Sequence, residues 1–145
     1  MIDIQAEDPP VRVNVSIGER LLKRIDDAAG AAAVQEAVVA IAEGGSAPRP
    51  VTATAVRWLL QVLADGEPGA TVEVRVPPFG AVQFREGLSH TRGTPPNVVE
   101  TDAATFVRLA TGDLSWQEAR AGALVSASGS RADLTGYVPI AWQRG

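Results

Sequence analysis

The chain has 145 residues, 46% of them hydrophobic and 21% charged, a composition typical of one soluble globular domain rather than a disordered segment. It has no cysteine and a single histidine, His90, which excludes disulfides, thiolate metal sites and two-histidine metal motifs. The net charge of −4 disfavours a nucleic-acid module. No apolar run approaches the roughly 20 residues of a membrane span, and the acidic start lacks the features of a signal peptide. We therefore expect a cytoplasmic protein without integral membrane association, cofactor or metal.

Residues 1–50 are predicted to form an N-terminal appendage of one strand and helices. Alternating apolar residues predict a half-buried strand over residues 11–17. The capping-box spacing of Ser16 and Glu19 predicts a helix that starts there and carries Leu21, Leu22 and Ile25. Gly30 is expected to break or kink this run, and a second helical stretch ends at Gly44-Gly45.

Residues 51–145 are predicted to form the main body. It opens with a helix over 52–64 that is apolar around most of its girth, so we expect it to be covered on more than one side. The patterns that follow predict a strand over 71–76, an antiparallel strand over 81–85 and a strand over 98–100. After these we expect a helix that is capped by Thr101 or Asp102 and ends at Gly112, and then a short helix that begins at the capping box of Ser115. A strand over 124–128 and a short element up to Ile140 complete the main body. The sum is an α+β domain with an antiparallel-rich sheet and helices on one face.

Residues 97–134 contain several features in a fixed order. These are the Thr-Asp helix cap, the helix with Phe106, the run Leu-Ala-Thr-Gly-Asp-Leu at 109–114, the short helix with its central alanine, and the strand that ends in Ser-Gly at Gly129. In these features the segment resembles the sterol carrier protein type-two fold. Segments 72–79 and 90–102 resemble a small actinobacterial branch of that superfamily, so the similarity covers about residues 51–140. The chain departs from the pattern in lacking a C-terminal peroxisomal address. Its last segment is also short for the helix that lids the tunnel in better-known members.

The resemblance implies a curved sheet of about five strands, covered on one face by helices, with an apolar tunnel between them. It also implies non-catalytic binding of a sterol, fatty acid or acyl chain. Apolar residues predicted to line such a pocket are Leu59, Leu60, Leu63, Val74, Val76, Phe84, Phe106 and Trp116, with Phe79 as a lip residue at the opening or a cap on the sheet. The same side chains would serve equally well as a filled core, because protein interiors pack densely.

Residues 90–97 form the most unusual polar segment. In a functional interpretation they are the mouth of the pocket, where Arg92 pairs with a ligand carboxylate or phosphate and His90 and Thr94 donate hydrogen bonds. In a structural interpretation they are an ordered loop whose prolines lead into the next strand. Pro95 and Pro96 lack backbone N–H groups, so the segment cannot cradle a phosphate as glycine-rich loops do.

Three function classes remain open on the sequence. The first is a non-enzymatic binder of a hydrophobic small molecule. The second is a protein-interaction or regulatory module with a filled pocket, in which residues 11–43 supply a partner or homodimer surface. The third is a small enzyme using His90 and Arg92, which we rank last because no nucleotide, metal or nucleophile motif is present.

Overall fold

The computed structural model describes residues 14–87, 97–140 and Trp142. Ten helices and strands are formed within them. In chain order these are β1 (Ser16–Ile17), β2 (Arg20–Leu21), α1 (Asp27–Ala42), α2 (Arg49–Gly66), β3 (Val72–Val76), β4 (Gly80–Phe84), β5 (Asn97–Thr101), α3 (Ala103–Thr111), α4 (Trp116–Ala121) and β6 (Val125–Ser128).

The six strands form one sheet in the order β2-β1-β4-β3-β5-β6. Every neighbouring pair is antiparallel except β3 and β5, which run parallel. The sheet packs against the four helices, so the predicted α+β class with a mostly antiparallel sheet is confirmed. Among the described residues, four of the sheet's strands come from residues 51–145 and two from the N-terminal segment, which forms a hairpin where a single strand was predicted.

The core lies between the sheet and the helices. Val72, Val74 and Val76 alternate inward along β3 and are fully buried, while Glu73 and Arg75 between them face away from the helices. Helix α2 packs against both β4 and α1. A helix covered on two sides needs apolar residues around most of its circumference, as its sequence predicted.

The N-terminal prediction was partly wrong. Ser16 and Ile17 are in a strand as expected, whereas residues 11–13 lie outside the described part of the chain. No helix starts at Ser16; the chain turns back at Gly18, whose φ of +60° suits a tight hairpin, and β2 pairs with β1. The first helix of the described residues begins at Asp27, with the Asp26 carboxylate accepting from the Ala29 N–H.

Gly30 neither breaks nor kinks the first helix. It is buried within α1, and a Cβ at this position would overlap the indole ring of Trp58 on α2. The Trp58 Nε1–H also donates to the Asp27 carboxylate at 3.0 Å. Gly30 is therefore a close-approach position at which the two helices meet.

The predicted caps of the later helices are confirmed. Asp102 caps α3, its carboxylate accepting from the Thr105 N–H at 2.9 Å, and Gly112 ends the helix in the left-handed conformation. Ser115 and Glu118 form the reciprocal capping box of α4. The predicted short element before Ile140 is neither helix nor strand but an irregular segment with one isolated bridge, Thr135 to Val138.

We predict that Gly30→Ala destabilises the protein by about 1–3 kcal/mol, because the added methyl group overpacks the α1–α2 contact. This cost should exceed the roughly 1 kcal/mol that alanine gains over glycine in helix propensity. Gly66→Ala is the matched control, since a Cβ at that helical glycine meets nothing within 4 Å. Chemical denaturation of both variants tests this. Equal or greater stability of Gly30→Ala would contradict it.

Candidate functional site

The nine apolar residues predicted to line a pocket come together in the core. They lie on α2, β3, the β3–β4 turn, β4, α3 and α4, and each is between 0 and 8% exposed. All nine belong to one contiguous cluster. None of them lines any of the surface clefts described below. The structure therefore joins these residues in one apolar interior, and their role as ligand contacts stays a prediction.

One side of this interior is closed by residues 131–140, which we call the strap. Ala132, Leu134 and Ile140 of the strap are buried in the same cluster as the nine residues. The Tyr137 ring packs edge-on against Phe84, with centroids 5.3 Å apart and planes at 83°. The strap therefore closes this side of the interior without forming a helix.

Hydrogen bonds attach the strap at its two ends. At the start, the Arg131 N–H donates to the Asn97 Oδ1 at 2.9 Å, and the Asn97 Nδ2 donates to the Thr71 carbonyl at 2.9 Å. At the far end, the Ile140 N–H donates to the Ala110 carbonyl at 2.8 Å. Asn97 is only 6% exposed, so both of its contacts are made away from bulk water.

A polar group of residues surrounds the start of the strap. Arg85, directly after β4, stacks its guanidinium over the Tyr137 ring at 5.1 Å and donates from Nη1 to the Arg131 carbonyl at 3.1 Å. The sequence analysis included Asn97 in the polar segment 90–97 without giving it a contact, and it missed Arg85, Arg131 and Tyr137. No local motif marks them, because they are brought together by chain segments far apart in sequence.

The predicted polar mouth, His90, Arg92 and Thr94, lies outside the described residues. The described residues on either side of the predicted mouth, Gly87 and Asn97, both lie next to Thr71. Asn97 bonds to the Thr71 carbonyl, and a Cβ on Gly87 would overlap the Thr71 hydroxyl. Gly87 and Asn97 therefore both lie near the start of the strap.

A second opening lies between α1 and α3. This cleft of about 630 Å³ has apolar walls formed by Val38, Ile41, Val107 and Trp142, and Arg108 near one end is paired with an exposed Asp113 at 2.8 Å. A small apolar recess of about 60 Å³ adjoins it and shares Ile41 and Val107. This cleft could take up an apolar group without movement of the strap.

The face of the sheet that points away from the helices carries a polar cleft of about 500 Å³. Glu73, Arg75, Gln83 and Glu100 contribute to its lining. The Glu73 carboxylate accepts a hydrogen bond from the Arg75 Nε at 2.5 Å. This hydrogen bond, and secondly the negative charge of Glu73, raise the pKa of Arg75 above its usual value. A charged lining of this kind is unsuited to an apolar ligand.

Within residues 14–87 and 97–140, no group of three or more histidine, cysteine or acidic residues could hold a metal ion. In the same part of the chain, no helix combines the length and the apolar character needed to cross a membrane.

A family model described as bacterial SCP ortholog, SCP being the sterol carrier protein, matches residues 48–140, which is more than half of the chain. A comparison with curated proteins found no match. The matched range contains α2, the strap, strands β3 to β6 and the nine interior residues, whereas α1 and the β1–β2 hairpin lie before it. A chain boundary near residue 50 and membership of an actinobacterial branch stay predictions.

We predict that Asn97→Ala loosens the strap and costs about 1–3 kcal/mol for each partner left without a hydrogen bond inside the protein. Hydrogen exchange followed by mass spectrometry should show that residues 131–140 exchange faster in the variant than in wild type, with a smaller change in α1. Gln83→Ala, on the outward face of the same sheet, is the control and should leave strap exchange unchanged. Identical exchange in wild type and Asn97→Ala would contradict the attachment described above.

We also predict that acid weakens the strap through Asp133. The Thr135 hydroxyl and then the Thr135 N–H hold the pKa of the Asp133 carboxyl below its usual value. A lowered folded-state pKa stabilises the fold above the unfolded-state pKa of about 3.9, and this contribution is lost as the pH falls through the folded-state value. The difference in unfolding free energy between wild type and Asp133→Asn should therefore shrink below about pH 4. A difference that stays constant from neutral pH into the acid range would contradict this.

Proposed function

Because the chain belongs to the family of bacterial SCP orthologs, we propose that it binds a hydrophobic small molecule without catalysing a reaction. The ligand class is a sterol, fatty acid or acyl chain, held between the sheet and the helices by the nine interior residues. A cytoplasmic location is part of the proposal. The observation that carries it is the closure of the apolar interior by an irregular strap, since such a segment can move without breaking a helix or a strand.

The energetic argument concerns what replaces the strap. Leu134 is fully buried and Ile140 is 6% exposed, so moving them outward would expose apolar surface to water. Burying that surface is worth about 25 cal/mol per Å², and the apolar chain of a ligand would restore the burial when it took their place. Binding by exchange therefore lets the interior stay packed both without and with a ligand.

The predicted mouth residues His90, Arg92 and Thr94 remain proposed polar contacts of this ligand. The support for this is the contact of both flanking residues, Gly87 and Asn97, with Thr71 at the start of the strap.

A second candidate function is a protein-interaction or regulatory module with a permanently filled interior. The dense packing of the nine residues favours it. So do two exposed apolar side chains in the N-terminal segment, Leu21 at 66% and Val39 at 47% exposed, which suit a partner or homodimer surface.

Native mass spectrometry of freshly purified protein, set beside its denatured mass, tests the two candidates. The carrier proposal predicts additional non-covalent mass in the lipid range, or its appearance after a fatty acid is added to delipidated protein. A photoreactive fatty acid should then label strap and interior residues rather than α1. A bare dimer that takes up no lipid would instead support the interaction module.

We predict that Tyr137→Ala speeds ligand uptake several-fold, because the ligand-free strap loses its ring contact with Phe84 and opens more often. Stopped-flow mixing of delipidated protein with a fluorescent fatty acid measures this rate. Ser130→Ala, at an exposed position beside the strap, is the control and should take up ligand like wild type. Labelling confined to the α1–α3 cleft, with unchanged uptake by Tyr137→Ala, would contradict a site beneath the strap.

A further inference from the structure

Three polar residues lie near one another at the edge of the sheet where the strap starts. Arg85 follows β4, Arg131 begins the strap and Thr71 precedes β3. The Arg131 Nη1 lies 2.8 Å from the position that a Cβ on Gly87 would take, and the Thr71 hydroxyl lies against the same position. Arg85 adjoins them through its hydrogen bond to the Arg131 carbonyl. Two guanidinium groups and one hydroxyl group therefore share this end of the interior.

The backbone of Arg85 is unusual and firmly held. Its φ of +76° lies in the left-handed region, where arginine is rare and glycine is favoured. The Arg85 N–H donates to the Glu67 carbonyl at 2.6 Å, and the Arg85 carbonyl accepts from the Thr71 N–H at 3.1 Å. A turn that required only this conformation would be best served by glycine. The presence of arginine points to a use for its side chain.

Arg85 lies directly outside the predicted ligand space. Its guanidinium covers the Tyr137 ring, and that ring contacts Phe84, which is fully buried. At the opposite end of β4, Arg49 stacks on Phe79 at 5.3 Å. That end lies at the β3–β4 turn and not at the strap. The Arg57 Nε also donates to the Phe79 carbonyl at 2.7 Å, so both ends have two arginines, and the Arg85 end differs among the described residues in its closure by the irregular strap.

The acidic groups at this end are exposed and are not ion-paired with either arginine among the described residues. Glu67, Glu86 and Asp133 are exposed, and no ion pair forms between them and Arg85 or Arg131. Asp133 belongs to the strap, and the charges of Arg120 and Arg85 contribute to its lowered pKa. In the proposed exchange, the strap moves away from Asp133 onward while the Arg131 N–H stays bonded to Asn97, so a ligand carboxylate takes over the charge compensation of Arg85.

We propose that the ligand is an amphiphile with a linear apolar chain and one carboxylate, and that Arg85 and Arg131 bind the carboxylate with help from the Thr71 hydroxyl. This rests on the proposed carrier function and selects a fatty acid over a neutral sterol. Guanidinium groups suit this task because they stay charged and can donate two parallel N–H bonds to a carboxylate.

The test compares hexadecanoic acid with hexadecanol, which share the same chain but differ in head group, on delipidated full-length protein at neutral pH. Wild type should bind the acid about ten-fold or more tightly than the alcohol, as expected for charge-assisted hydrogen bonds. Arg85→Gly removes the guanidinium and suits the positive φ, so it should fold and bind both ligands within about two-fold of each other. Arg131→Gln should reduce the preference in the same direction.

Arg49→Gln is the matched control, since it removes an arginine stacked on a predicted ligand residue at the other end, and it should keep the wild-type preference. Equal binding of acid and alcohol by wild type would overturn the carboxylate assignment but leave the carrier function standing. An unchanged preference in both Arg85→Gly and Arg131→Gln would overturn the roles of these residues. Failure of wild type to bind either ligand would overturn the choice of a linear-chain ligand, and it would overturn the carrier function as well if a sterol also failed to bind.

Discussion

The structure depends on the burial of α2 from two sides. Leu59, Leu60 and Leu63 turn most of this helix into apolar surface, and a single layer could cover only part of it. The sheet covers one side through β4, and α1 covers the other through the close contact of Gly30 with Trp58. Although the family match begins at residue 48, the helix before it therefore contributes to the same core. The hydrogen bonds of Gln61 to both backbone groups of Ile25 fasten the chain that leads into α1.

The strap closes the core near β4 and α3. It does this through the packing of Leu134, Tyr137 and Ile140, while its backbone makes few regular hydrogen bonds. A segment held by separate hydrogen bonds at its ends can open at lower cost than a helix or a central strand, which would lose many bonds together. This difference in local stability connects the packing of the interior with the proposed uptake of a ligand.

Much of the fold could be predicted because its signals are local. The alternation of valines in β3, the Asp102 cap and the Ser115–Glu118 box each depend on residues within one turn or one strand. The hairpin at Gly18 could not be predicted so easily, since the same residues also match a capping box. Pairing with Ala81 of β4, which is distant in sequence, accompanies the strand conformation at Ser16. In the candidate site, the nine apolar residues were predicted and Asn97 lay in the predicted polar segment, but Arg85, Arg131 and Tyr137 were not identified.

The sequence by itself determined the class of the fold, the places of most helices and strands, and the apolar residues of the interior. These follow from periodicity and capping, which are properties of neighbouring residues. Only the tertiary structure decided that β3 and β5 run side by side in parallel, that the nine apolar residues join one buried cluster, and that Tyr137 of the strap packs on Phe84. It also decided that Arg85 reaches a carbonyl 46 residues further along the chain. Such contacts depend on how complete elements pack, and no local pattern records which distant segment will fill a given space.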